Sequence, residues 1–391
     1  MGGDKVLLRS YELPAHSILG ASGAHRWMNC PGSVGLGVGI PNTESEFAAE
    51  GTAAHELAAN CLNTQRHPES FIGHKFYGIK VDANMASAVA EFTELVKKTH
   101  MLGSGRAKEA QLEFIECGVE AFFHCPELHP HYHGTSDFYH RRGSTLHVWD
   151  YKHGAGIVVD VQWNPQVLYY ACGVLQSKGL WDEVDGVVVH IVQPRAHSQT
   201  HSEWHIGVEP LHSWLKYTLV PAMRVAESSD ATNSSEHCRF CPVVSMACPQ
   251  ILRDANEWER FDVEQVAQWT NDEVARFLTL GEVLKIATHR AGEVALKRLQ
   301  DGEEIKGYKA VQVKSNRKWR DEVTDDLLEN TFEGVKGLSP AKVDKLPGGR
   351  EFTERYSYKP SNGLMVAKYS DPRRAIGQDM SKEFDKLPIA N

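Results

Sequence analysis

The chain has 391 residues, 41% hydrophobic and 24% charged, with a net charge of −9 at neutral pH. That length allows an ample core and two or three structural units, and the composition is that of an ordinary soluble globular protein. The negative balance excludes a generally basic nucleic-acid coat, so any DNA contact must use local positive charge or bound cations. No run approaches the ~20 apolar residues of a membrane helix, and the N-terminus lacks the apolar core of a signal peptide. The expectation is a cytoplasmic protein with no membrane partner. Its eight cysteines should then stay reduced and need a role other than disulfides.

In residues 15–30, Ser17 or Ser22 can cap a short helix carrying His25, Arg26 and Trp27 toward Cys30. Pro31 and the glycines after it make a loop. Residues 44–63 read as a helix, with Thr43 and Glu46 in a capping-box pattern and four alanines around His55. Position 59 is alanine, so His55-Glu56 does not open a zincin motif. A second helix runs from about Asn84 to Thr99, with Met85, Val89, Phe92, Leu95 and Val96 on its apolar face. From Gln111 to His124 the pattern turns to strand, with Glu113 as an acidic candidate. His129, His131 and His133 alternate in the next segment and could bind a transition metal. In a chain with 20 histidines, a solvated loop is the simpler reading.

Two runs rich in β-branched and aromatic residues then flank Arg142-Gly143-Ser144-Thr145. A two-residue Gly-Ser turn between such runs signals a hairpin, with Gly143 at the first central position of a type II′ turn. That register sets Asp137 opposite Asp150, with Cβ atoms roughly 4.5–5.5 Å apart, where like charges destabilise. Two such carboxylates need a cation, or one stays protonated. Lys152 shares the face of Asp150. Asp, Asp and Lys on one patch of sheet suit a hard divalent metal bound by oxygens, with a lysine beside it. Asn164 as cap and Pro165 at the first position open a helix reaching Lys178, with Gln166 and Tyr170 on one face. Residues 186–194 read as a buried strand. The middle of the chain is therefore an α/β core with helices before and after it.

Gly134-x-x-Asp137, Asp150-x-Lys152 and Gln166-x-x-x-Tyr170, with His55 on an upstream helix, resemble the RecB-like branch of the PD-(D/E)XK nucleases. The resemblance implies a restriction-endonuclease-like core, a mixed sheet flanked by helices. It also implies Mg²⁺ or Mn²⁺ held by His55, Asp137, Asp150 and the Tyr151 carbonyl. Lys152 would orient the attacking water or stabilise developing charge, and Gln166 and Tyr170 would position the DNA backbone or the lysine. The implied product carries a 5′-phosphate.

Cys238-x₂-Cys241-x₆-Cys248 is a thiolate cluster short of one ligand, and Cys30 is available. One distant N-terminal cysteine with three after the core resembles the iron–sulfur staple of AddB-type and CRISPR-adaptation nucleases. The uneven one-plus-three arrangement favours a 4Fe-4S cluster over Zn²⁺, and either would close a long loop. Cys61, Cys117, Cys125 and Cys172 read as core or incidental thiols.

Farther on, helices are expected over Val263–Phe277 and Glu282–Leu299, followed by a strand-like stretch from Tyr308. Ser339 and Pro340 open a short helix, and an extended tail starts at Pro360. Local positive charge sits at Arg141-Arg142 and at Lys314, Arg317, Lys318 and Arg320. The segments around Arg317 and Arg373 are similar to an uncharacterised phage and prophage family with the same nuclease core. Four parts are expected: a helical part with Cys30 and His55 over 1–105, the nuclease core over 106–200, a helical part with the cysteine cluster over 201–300, and an accessory region with a tail over 301–391. The expected activity is a metal-dependent DNA exonuclease in phage or prophage recombination, repair or replication. Its partners would be single- or double-stranded DNA ends, a helicase or single-strand annealing protein, and further copies of itself. Competing classes are a non-catalytic nucleic-acid-binding protein of the same fold and a zinc-stapled adaptor.

Overall fold

The computed structural model describes residues 17–40, 46–101, 114–154, 158–196, 199–245, 248–313, 316–320, 322–323, 325–332, 338–359 and 363–376. The chain divides into two units, residues 1–275 and 276–391. Glu113, Thr43 and Lys314, all singled out in the sequence, lie outside the described residues.

In the first unit, runs of β-branched and aromatic residues build a five-stranded mixed sheet. Its strands are β1 (Phe114–His124), β2 (His133–Arg142), β3 (Thr145–Tyr151), β4 (Gly186–Val192) and β5 (His201–Gly207), in that spatial order. The β3–β4 pair is parallel and the other three pairs are antiparallel. Helices α1 (Ala24–Asn29), α2 (Glu46–Thr64), α3 (Ala83–Met101), α4 (Pro165–Lys178), α5 (Val208–Trp214) and α6 (Val220–Ser228) flank the sheet. Strand periodicity sorts the side chains into two cores. Tyr139, Leu146, Val148, Val187, Val189 and Ile191 pack with α1, α4, α5 and α6. Phe138, Trp149, Tyr151 and Val192 pack with α2 and α3 on the other side. Each large apolar side chain buried this way contributes roughly 1.5–3 kcal/mol. The same alternation assigns Asp137 and Asp150 to the α4 side.

Helix α4 is the crossover between the parallel strands, and every residue from Val167 to Leu175 is buried, as expected of a helix apolar all round. Its ends are fixed locally. Asn164 Oδ1 accepts the N–H groups of Gln166 (3.0 Å) and Val167 (3.4 Å), Pro165 fills the first turn, and Gly179 closes the helix in the left-handed region at φ 68°.

The β2–β3 register runs from Arg142↔Thr145 to Phe138↔Trp149. Gly143 takes φ 57° while Ser144 stays at negative φ, the pattern a type II′ turn requires. One reading of the hairpin tip is overturned. Arg141 is buried and ion-paired to Glu183, so it is not part of an exposed basic patch.

Three other expectations change. His129 and His133 are buried rather than solvated, because their loop is held against α4 and α6: Tyr132 donates to the Tyr169 carbonyl, and His129 Nε2 lies 3.4 Å from Glu227. The helix expected to begin at Val263 is a 3₁₀ stretch ending at Gln268. A new helix, α7 (Asn271–Gln300), starts where Thr270 and Glu273 form a reciprocal capping box. It runs unbroken through Gly281, because one glycine costs only ~1 kcal/mol and Leu280 and Val283 beside it are buried.

In the second unit, Tyr308–Gln312 pairs antiparallel with Leu364–Lys368, and Lys318–Trp319 pairs with Ser357–Tyr358. Ser339 precedes a one-turn helix, Pro340–Val343. Arg317 is ion-paired to Asp344, which removes it from the free positive charge expected there. Among the described residues, no helix is long and apolar enough to cross a membrane.

Candidate active site

The ladder between β2 and β3 ends at Phe138↔Trp149. Beyond it the strands are joined by a side chain, since the Tyr151 N–H donates to Asp137 Oδ2 at 2.7 Å. The other Asp137 oxygen, Oδ1, lies 3.3 Å from His55 Nδ1, which α2 carries to this end of the sheet. The His55 ring also packs edge-on against Tyr151 at 5.3 Å.

Asp150 is buried, and Lys152 Nζ lies 3.1 Å from its Oδ1 and 3.0 Å from its Oδ2. Oδ2 accepts no well-directed hydrogen bond, so the ammonium is its ion-pair partner only. Lys152 also donates to Gln166 Oε1 at 2.7 Å, and Gln166 Nε2 donates to the Tyr170 hydroxyl at 3.2 Å. Gln166 and Tyr170 stand one turn apart on α4, so the helix props the lysine against the acid. The structure thus brings together His55, Asp137, Asp150, Lys152, Gln166 and Tyr170 at one end of the sheet.

Sequence reasoning missed one member. Glu120 lies between the pairs Val119↔Phe138 and Ala121↔Ser136, which set it opposite Asp137. Ligand atoms of His55, Glu120 and Asp137 lie within 4.8 Å of one another. Glu120 adopts φ 46°, a left-handed conformation rare for a non-glycine residue. Its only signal in sequence is an acidic residue on the preceding strand, and position 113 competed for that role.

Charge is in conflict at this site. Burial and then Asp137 push the Glu120 carboxyl up to about 7, even though its side chain reaches solvent. Burial raises the Asp150 carboxyl too, and Lys152 only partly offsets it. Burial opposes the ionised form of Asp137, but His55, the Tyr151 amide and Lys152 outweigh it and hold the carboxyl below its usual range. Burial likewise opposes protonation of His55, and Asp137 reverses this to raise its pKa. Three carboxylates around one imidazole and one ammonium make a site whose residual negative charge a divalent cation would neutralise.

Across the second flank of β3, the Tyr151 hydroxyl lies 2.8 Å from His153 Nδ1. His153 Nε2 lies 3.4 Å from Glu50, which also accepts from Arg195 at 3.0 Å. This network holds the strand end that carries Lys152.

The four cysteines lie close enough to interact electrostatically. Cys30, Cys238, Cys241 and Cys248 are all buried. The Asn233 N–H donates to Cys30 Sγ at 3.4 Å, and the Gly32 N–H to the Ala231 carbonyl at 2.8 Å, tying the end of α1 to the segment before Cys238. Burial raises the Cys238 thiol to about 11, and Cys241, Cys248 and Cys30 add to the rise, so the four sulfurs feel one another. Of the other thiols, Cys61, Cys125 and Cys172 are buried and Cys117 is exposed.

Comparison with known proteins places the chain in a family. The model of the family described as "Protein of unknown function (DUF2800)" matches residues 16–374, and the chain belongs to that family. A solved structure described as "Crystal structure of SSO0001" is similar at 9% identity, covering 56% of this chain and 92% of that one, with a TM-score of 0.21.

Proposed function

We propose that this protein is a divalent-metal-dependent deoxyribonuclease of the RecB-like PD-(D/E)XK type, acting from DNA ends. The observation that carries the reading is the Asp137, Asp150 and Lys152 patch, completed by His55 and Glu120 at one sheet end and braced by Gln166. The residues fit a hard cation: oxygen donors dominate, and the buried Asp150 Oδ2 has a lone pair without a hydrogen bond.

Asp137, Asp150, His55, Glu120 and the Tyr151 carbonyl would hold Mg²⁺ or Mn²⁺, which supplies Lewis acidity and lowers the pKa of water. Lys152 orients the attacking water and stabilises charge developing on the phosphate oxygens. Gln166 keeps the ammonium in place between turnovers, and Tyr170 fixes the Gln166 amide. The DNA strand is cut by hydrolysis at phosphorus, leaving a 5′-phosphate on the product.

Cys30, Cys238, Cys241 and Cys248 would hold a 4Fe-4S cluster that closes a loop of more than 200 residues around the core. Four thiolates suit iron–sulfur or zinc. Four-coordinate zinc would draw the sulfurs to within about 3.8 Å of one another. The uneven one-plus-three spacing of these cysteines along the chain favours the larger cage. The expected setting is phage or prophage recombination or repair in the host cytoplasm, beside a helicase or annealing protein.

The test is anaerobic purification, an absorption spectrum, and incubation of labelled linear and circular DNA with Mn²⁺, beside Asp150→Asn. Brown protein that degrades linear DNA from its ends, with activity lost but DNA binding kept in the variant, supports the reading. Intact DNA with retained binding would identify a non-catalytic DNA-binding protein. Colourless, zinc-loaded protein without nuclease activity would favour an adaptor.

A further inference from the structure

A second cluster of ligating side chains lies on the opposite face of the sheet, away from the acidic pair. His140 on β2, His147 and Trp149 on β3, His190 on β4 and His201 on β5 form a stack of rings running across four strands. His140 and His147 are parallel at 4.6 Å, Trp149 lies 3.7 Å over His190, and His190 and His201 are stacked at 5.4 Å. At the solvent end, ligand atoms of His190, His201 and Glu203 lie within 4.8 Å of one another.

We propose that His190 Nδ1, His201 Nε2 and a Glu203 carboxylate oxygen form a transition-metal site of the zinc class, separate from the acidic site. Three observations support it. The first is spacing: His190 Nδ1 is 3.2 Å from His201 Nε2 and 3.5 Å from Glu203 Oε2. Tetrahedral bonds of ~2.05 Å place ligand atoms about 3.3 Å apart, so the donors already span the edges of such a site.

The second is the outer partner of the buried ligand. His190 Nε2 lies 3.0 Å from His147 Nδ1. With Nδ1 turned to a metal, Nε2 carries the proton and donates it to His147, which fixes the tautomer as metal-bound imidazoles require. The stacked Trp149 ring and the buried position of His190 hold the ring plane.

The third is the donor set and its access. Two imidazoles and one carboxylate select Zn²⁺ or a neighbouring first-row ion over Mg²⁺. Glu203 is half-exposed, and this leaves the fourth position open to water. Because His190 lies on β4 and the other two ligands on edge strand β5, a bound ion would pin that edge to the sheet.

The test is equilibrium dialysis of the metal-stripped, full-length protein against Zn²⁺, with metal counted per chain. His201→Asn and Glu203→Gln are compared with the native chain, and each variant's fold is verified by circular dichroism. The native chain is expected to hold one more equivalent than either variant, and saturation with Zn²⁺ should raise its melting temperature by several degrees more. Co²⁺ provides a second readout. A visible d–d band lost in both variants, without the near-ultraviolet thiolate transition, assigns the ion to this site rather than to the cysteines. Equal metal content and equal Co²⁺ spectra in native and Glu203→Gln protein, whose exposed substitution leaves the core intact, would overturn the proposal.

Discussion

Asp137 Oδ2 accepts the Tyr151 N–H at 2.7 Å, so a carboxylate replaces a carbonyl as the last link between β2 and β3. The side chain thereby has two duties, closing the strand pair and facing His55. The two can be separated. Asp137→Asn keeps an acceptor for the amide, whereas Asp137→Ala leaves a buried N–H unpaired at about 1–3 kcal/mol. Both variants should lose nuclease activity, but only Asp137→Ala should show a markedly lower denaturation midpoint. Equal midpoints would mean that the bond contributes nothing to stability.

Gln166 accepts a hydrogen bond from Lys152 and donates one to Tyr170. Gln166→Leu keeps the volume and frees the ammonium to leave its position. Single-turnover cleavage should slow about tenfold or more, with DNA affinity nearly unchanged. A loss confined to affinity would reassign Gln166 to DNA contact.

Glu120 is raised to about 7 from an ordinary 4.5. Between those values the folded, metal-free chain holds a proton that the unfolded chain has released. Its contribution to stability is therefore full below about pH 4.5 and is lost as pH rises through 7. A metal bound at this carboxylate must expel the same proton. Mn²⁺ affinity should rise between about pH 5.5 and 7.5 and then level off. Calorimetry in buffers of different ionisation enthalpy counts the protons released, His55 giving up one as well, and equal release near pH 6 from native and Glu120→Gln protein would remove Glu120 from the ligand set.

Gly173 sits in α4 where a Cβ would fall 2.1 Å from the Phe123 ring. Helix propensity alone makes Gly173→Ala favourable by about 1 kcal/mol. Overpacking against a buried aromatic should outweigh it and destabilise by about 1–3 kcal/mol net. Urea unfolding gives the sign, and a stabilised variant would show that Phe123 can move aside.

The legible parts of the site are those set by short-range chemistry. A two-residue turn transmits register without ambiguity, so Asp137, Asp150 and Lys152 could be placed on one face from sequence. Asn164 and Pro165 likewise fix where Gln166 and Tyr170 emerge. Glu120 was out of reach because β1 and β2 are joined by an eight-residue loop, 125–132, rather than a tight turn. No turn rule carries register across such a loop. Arg141 was misread because its partner, Glu183, comes from beyond α4. The stacked histidines were invisible for a similar reason. His190 lies within an apolar run, and only the pairing of four strands brings its neighbours beside it.

The φ of 46° at Glu120 has one more consequence. A left-handed backbone at a non-glycine residue costs on the order of 1–2 kcal/mol, so a chain selected only for robust folding would carry glycine there. The main-chain conformation at Glu120 sets the direction in which its side chain leaves the strand. The trace of chemistry at this position is therefore a local misfit between residue type and backbone conformation.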